Sequence, residues 1–114
     1  MKLADFVDMV VIDPRKLTSY ALNPNSPRGR NKAILFEKVL GFNRENYTEL
    51  LQQIKNEALY ADASFHSEDV FGKRYTVDLM IEGTEGQQAK VRTGWLVPVE
   101  NDKAYLVTIY LIKR

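Results

Sequence analysis

The chain has 114 residues, 45% of them hydrophobic and 27% charged, the length and balance of a single folded domain with one core. It has no cysteine, which excludes a disulfide framework and a thiolate zinc site, and its single histidine, His66, excludes a histidine-rich metal centre within one chain. A formal net charge of +1 excludes binding to nucleic acid through an overall positive field, so any such site must be a local patch.

The first segment, "MKLADFVDMVVID", places acids where a signal peptide would be uninterruptedly apolar. No apolar run anywhere approaches the roughly 20 residues of a membrane span, so the expectation is a cytoplasmic protein without a membrane partner. Met9 to Ile12 form a short apolar run, followed by Asp13 as a helix cap and Pro14 at the first position of a short helix to about Tyr20. "NPNSPRGR" then reads as an ordered loop, because Asn23 and Ser26 each precede a proline and are pushed toward extended conformations. Asn31 is the expected cap of "KAILFEKVLGF", with Ala33, Phe36, Val39 and Leu40 on one face and Gly41 as the stop. Asn43 is the expected cap of the next helix, where Tyr47, Leu50, Leu51, Ile54 and Ala58 recur at amphipathic spacing.

From about Ala63 the period changes to two. "SFHSEDVFGK" suggests a short edge strand, and in "RYTVDLMIEG" Tyr75, Val77, Leu79 and Ile81 alternate with Arg74, Thr76 and Asp78. Gly83 to Gly86 is a hairpin turn, and "QQAKVRTGWLVPV" and "KAYLVTIYLIK" are two further strands joined by "ENDK". The order predicts a single α+β domain over residues 1–114, with N-terminal helices packed on one face of a three- to four-stranded antiparallel meander sheet.

Two places could do chemistry. Arg28, Arg30 and Lys32 crowd the start of a helix, where cations are disfavoured, and together with the permissive Gly29 they could converge on a phosphate or carboxylate. The plainer reading leaves the arginines in solvent or paired with Glu37, Glu68 or Asp69. The outward sheet face is the second place. Arg74, Thr76 and Asp78 share it, with Arg92 or Thr93, which parity leaves open, and with Thr108 and Tyr110 from the neighbouring strands. A guanidinium there could stabilise charge on phosphorus while Asp or Tyr moves a proton; equally, this is ordinary decoration of a solvated sheet. His66 reads as a surface residue outside both places, and Trp95 and Phe71 as core aromatics. The glycines form no phosphate-loop or dinucleotide fingerprint, and no Ser-His-Asp or Cys-His set can be assembled.

Through "LTSYALNPNSPRGRNKAILFEKVLGF", "FGKRYTVDLMI" and "AKVRTGWLV", the chain resembles, from Leu17 to Tyr110, a bacterial domain family of unknown function. Its members are small stand-alone proteins, frequent in cyanobacteria, and C-terminal domains of polymorphic secreted toxins. Leu22, Asn23, Pro24, Pro27, Gly29, Lys32 and Ala33 match the family pattern, while Ser26 stands where histidine is usual. The later motifs match through Arg74, Tyr75, Thr76, Val77 and Asp78, and through Val91, Arg92, Thr93 and Trp95.

The order of elements also resembles the fold shared by barnase, colicin-type and RelE-type ribonucleases. The family resemblance implies a toxin context more than a mechanism; within it, the cation-rich helix start beside a polar sheet face points to a metal-independent endoribonuclease without cofactor, acting on RNA and met by a small cognate antidote protein. Lys32, Arg74, Asp78, Arg92 and Tyr110 would be catalytic, and Arg28, Gly29, Arg30, Thr76, Thr93 and Thr108 would bind the anion. The alternative is a non-catalytic module that recognises a protein or an anionic ligand through the same surface. A fold analogy alone does not choose between them.

Overall fold

Alternation between Tyr75 and Ile81 dictates a strand with one apolar face, and the strand forms as that pattern requires. A computed structural model describes residues 1–112. Its strands are β1 (Met9–Val11), β2 (Ala63–Asp69), β3 (Gly72–Glu82), β4 (Gln88–Pro98) and β5 (Lys103–Leu111), and its helices are α1 (Arg30–Leu35, running on through Phe36–Leu40) and α2 (Tyr47–Glu57). A short helical stretch, Lys16–Ala21, precedes α1, with the Leu22 N–H donating to the Leu17 carbonyl. Asp13 opens that stretch as expected, its carboxylate accepting the Arg15 N–H at 3.0 Å.

The sheet order is β1-β5-β4-β3-β2, and β2 to β5 are antiparallel neighbours. The expected three- to four-stranded meander is thus corrected to five strands, because β1 adds a parallel edge along Lys103 to Tyr105 of β5. Three residues are too few to display a period, and a parallel partner that lies far along the chain leaves no local turn signal.

One face of the sheet carries Tyr75, Val77, Leu79 and Ile81 of β3, Val91 and Trp95 of β4, and Leu106, Ile109 and Leu111 of β5, all buried. Leu17, Phe36, Leu40, Phe42, Leu50 and Ile54 from the helical half close over them. Gln53 pins α2 to the sheet by bonding both the Glu82 carbonyl at 2.7 Å and the Glu82 N–H at 2.9 Å. The end of α1 is fixed by Gly41, whose φ of 79° supplies the expected stop.

Three local expectations are revised. The cap of α1 is not Asn31: the Ser26 hydroxyl accepts the Gly29 N–H at 3.1 Å, the Arg30 N–H donates to the Ser26 carbonyl, and the helix starts two residues early, at Arg30. Asn43 caps a turn and not α2 directly, since its carboxamide oxygen takes the N–H groups of Glu45 and Asn46. Phe71 is exposed, not core, because it lies in the β2–β3 turn with its N–H on Asp69. Trp95 is buried as expected.

Burial of Trp95 creates a polar demand inside the core. Its indole N–H donates to Thr93 Oγ1 at 2.7 Å, and the same hydroxyl donates to the Val77 carbonyl at 2.6 Å. Thr93→Val keeps the shape and orphans both groups, so it should lower unfolding stability by about 1–3 kcal/mol. Urea melts of the two proteins test this, and equal midpoints would mean that the indole finds another partner.

Candidate active site

The face of the sheet turned away from the helices is built by register. Asp78 lies across from Arg92, which lies across from Tyr110; the adjacent row is Thr76, Gly94 and Thr108. Strict alternation along β5 is broken by the irregularity between Gly94 and Trp95, which leaves Val107 as an extra residue and lets Leu106 and Ile109 both face the core. Thr108 and Tyr110 consequently share the open face with Arg92. Thr93 is corrected to the opposite, core face, where it serves Trp95.

A hollow of about 250 Å³ lies over this face, lined by His66, Arg74, Thr76, Arg92, Thr108 and Tyr110 with Gly94 in its floor. A Cβ on Gly94 would come within 2.7 Å of the Thr108 methyl, so glycine keeps the floor low beside that side chain.

Lys32 brings the helical half to this hollow. The residue is half-buried on α1 and passes along β5, where Nζ donates to Thr108 Oγ1 at 3.4 Å and stands 5.5 Å from the centre of the Tyr110 ring. A second hollow, of about 290 Å³ and lined by Lys16, Tyr20, Arg28, Lys32 and Thr108 among others, adjoins the first through Val107 and Thr108, which line both. The loop and the polar face therefore meet at Lys32, with Arg28 behind it. Arg30 does not join them; it lines a separate hollow with Pro24, Ser26 and Ile34. Gly29 is buried under the Tyr20 carbonyl, where an added Cβ would stand 1.9 Å from the oxygen, so its place is fixed by close backbone approach.

Two arginines in the hollow are held by carboxylates. Arg92 donates through Nε and Nη2 to the two oxygens of Asp78 at 2.8 and 3.0 Å, and Arg74 donates through Nε to Asp69 at 3.0 Å. The Arg92 fork holds the Asp78 carboxyl below the usual carboxylate range, and Arg92 itself is pushed up, first by Asp78 and then by the Tyr110 oxygen. Asp69 is also lowered, by the Phe71 N–H first and Arg74 second. Among the described residues Arg28, Arg30 and Lys32 make no ion pair, and no group of three or more His, Cys, Asp or Glu could hold a metal ion.

The lowered carboxyls imply a pH dependence. A group whose folded pKa is depressed stabilises the fold above its unfolded pKa, and that stability is lost as pH falls through the folded value. Melting temperature should hold from neutrality to about pH 5 and decline below about pH 4. Asp78→Asn should melt below wild type at pH 7, and the gap should close as pH falls through the lowered folded value of Asp78. Thermal scans across that range decide; a gap that stays constant with pH would mean that the charge of Asp78 contributes nothing.

His66 is the residue that sequence reasoning left out of this place. A bulge in β2 between Phe65 and Ser67 sets both His66 and Ser67 against Arg74, and no residue in "SFHSED" announces such an extra residue. The available signal was alternation with Phe65: the aromatic turned to the side of Tyr75 puts His66 on the side of Arg74.

The domain of unknown function DUF6883 matches residues 2–113. The chain belongs to that family. No curated protein sequence matches the DUF6883 chain. Among solved structures, one chain of a contact-dependent growth inhibition toxin–immunity protein complex from Klebsiella pneumoniae 342 is similar with a TM-score of 0.71 and 14% identity, covering 91% of this chain and 94% of that one. At that identity the likeness is one of fold. Among the described residues no helix is long and apolar enough to cross a membrane.

Proposed function

We propose that this protein is a toxin-like, metal-independent endoribonuclease. The observation that supports it most is the junction at Lys32: an ammonium without an acidic partner among the described residues meets an open sheet face carrying two anchored guanidiniums and a tyrosine hydroxyl. A phosphodiester laid in the hollow over Gly94 would meet Lys32 from the β5 side and Arg74 and Arg92 from the floor. These groups suit the extra negative charge of a five-coordinate phosphorus, and fixed donors of this kind are most effective when they need no reorganisation. Asp78 is spoken for by Arg92, so its role in this reading is to orient the guanidinium; Tyr110, with its ring under Lys32 and its oxygen beside Arg92, is the proton donor to the departing 5′ oxygen.

The fold likeness to a chain from a toxin–immunity complex supports a setting in which a cognate antidote protein covers this surface. The protein would then act in the cytoplasm of a target cell. Induced expression in a bacterial host, with growth and RNA integrity followed together, tests the proposal. Growth arrest accompanied by discrete RNA fragments is expected; normal growth with intact RNA would contradict it.

A second reading, a non-catalytic module binding a protein or an anion, draws on Ser26. The residue standing in the usual histidine position is buried and holds the loop through its hydroxyl, and it offers no proton-transfer group. In that reading the purified protein leaves RNA intact and retains a stable partner in a pull-down.

A further inference from the structure

The proposed reaction needs a group to take the proton of the attacking 2′-hydroxyl. Asp78 is held by two hydrogen bonds from Arg92 and lowered by them, which makes it a weak base, while Lys32, Arg74 and Arg92 are cations. One imidazole lines the same hollow. The register of Ala63 to Phe65 on β3 carries His66 to the row of Arg74, the bulge sets Ser67 beside it, and His66 Nδ1 stands 2.9 Å from Ser67 Oγ. With Nδ1–H donating to that hydroxyl, the lone pair sits on Nε2, free for substrate. His66 is on β2 and Tyr110 on β5, three strand spacings apart, roughly 14 Å between backbones. Side chains reaching inward from both leave room for one phosphodiester between them. In-line displacement requires that arrangement, because the attacking and departing oxygens lie on opposite sides of phosphorus.

Resting on the ribonuclease reading, we infer that His66 is the general base of this site. The O2′ proton passes to His66 Nε2 as the O2′–P bond forms and the P–O5′ bond breaks. The 5′ oxygen leaves with the proton of Tyr110, and solvent then removes the proton from His66 and restores that of Tyr110. The products are a 2′,3′-cyclic phosphate and a 5′-hydroxyl, with no redox change. The charged and titratable groups facing the imidazole are Arg74 with its partner Asp69 from β3 and the β2 end, Arg92 with its partner Asp78 across β3 and β4, Tyr110 from β5, and Lys32 from α1.

The test is a pH–rate profile of RNA cleavage for wild type and His66→Gln, with melting temperatures to establish that the variant folds. A general base contributes about 10²–10⁴-fold, so the variant should lose at least about 10²-fold, and the acid limb of the wild-type profile, where rate falls as the imidazole protonates, should disappear. Because the chain has one histidine, its ring resonance in NMR needs no assignment. Titration with adenosine 3′-monophosphate should move that resonance, since the nucleotide would occupy the hollow that the imidazole lines. A folded variant that keeps the wild-type rate and acid limb, or a ring resonance that ignores the nucleotide while the wild type cuts RNA, overturns His66 as the base and leaves the ribonuclease reading standing. Wild-type protein that cuts no RNA overturns that reading and the base together.

Discussion

Lys32→Ala should reduce RNA cleavage by roughly 10²–10³-fold while leaving the melting temperature within a few degrees of wild type. The size follows from what the ammonium does: at the Thr108 edge of the hollow it is a cation with no acidic partner among the described residues, and it meets charge that develops only as phosphorus becomes five-coordinate. Its anchoring contacts, to Thr108 at 3.4 Å and over the Tyr110 ring at 5.5 Å, are weak and half-exposed, so their loss costs the fold little. Arg92→Ala should reduce cleavage comparably and also free Asp78, leaving a carboxylate in the hollow that repels phosphate. Arg30→Gln, by contrast, should change the rate by less than about threefold, a surface charge effect, since that side chain lines a separate hollow. Single-turnover rates on a short RNA measure all three. Similar rates for Lys32→Ala and Arg30→Gln would mean that the junction at Lys32 is incidental.

The largest effect on stability should come from Gly29→Val. An added Cβ would meet the Tyr20 carbonyl oxygen at 1.9 Å and its carbon at 2.6 Å, and both are backbone atoms that cannot swing aside. Relief requires the loop to lift from the Lys16–Ala21 stretch, with the Ser26 hydroxyl and the buried Ala21 and Leu22 beside it. Overpacking of this kind costs about 1–3 kcal/mol, and a contact with rigid backbone belongs at the upper end, a fall in melting temperature of about 10 °C. Gly29→Ala should fall between. Calorimetry measures both. Wild-type melting in either variant would mean that this close approach is not needed, and would return Gly29 to the anion-binding role that its place in "PRGRNK" suggests.

These two residues illustrate what the chain reveals without coordinates. In "NPNSPRGRNK" the motif is legible, but the roles within it are not. Three cations look equivalent in sequence, yet the turn set by Ser26 and the start of α1 at Arg30 send Lys32 along β5, leave Arg28 behind it and turn Arg30 elsewhere. The strands were more transparent. Alternation from Tyr75 to Ile81 determined which face of β3 is buried, and Arg74, Thr76 and Asp78 followed on the other. That logic stops where an extra residue intrudes. The bulge at Val107 does not separate Thr108 from Tyr110, which lie two residues apart beyond it; His66 stays outside the reading because the pairing register of a short edge strand has no signal in the chain. Thr93 was undecidable by parity because it is polar in a core position, and only its bond to the Trp95 indole explains a hydroxyl there. The parallel edge β1 needed knowledge of a partner nearly the length of the chain away.

The account rests on chemistry in which the RNA supplies its own nucleophile and the protein supplies only charge and proton transfer. The measurement closest to that claim is the identity of the ends left on a cut RNA when the purified protein works in excess EDTA. A 2′,3′-cyclic phosphate and a 5′-hydroxyl, formed at an unchanged rate, are predicted. Fragments ending in a 3′-hydroxyl and a 5′-phosphate, or cleavage abolished by the chelator, would contradict it.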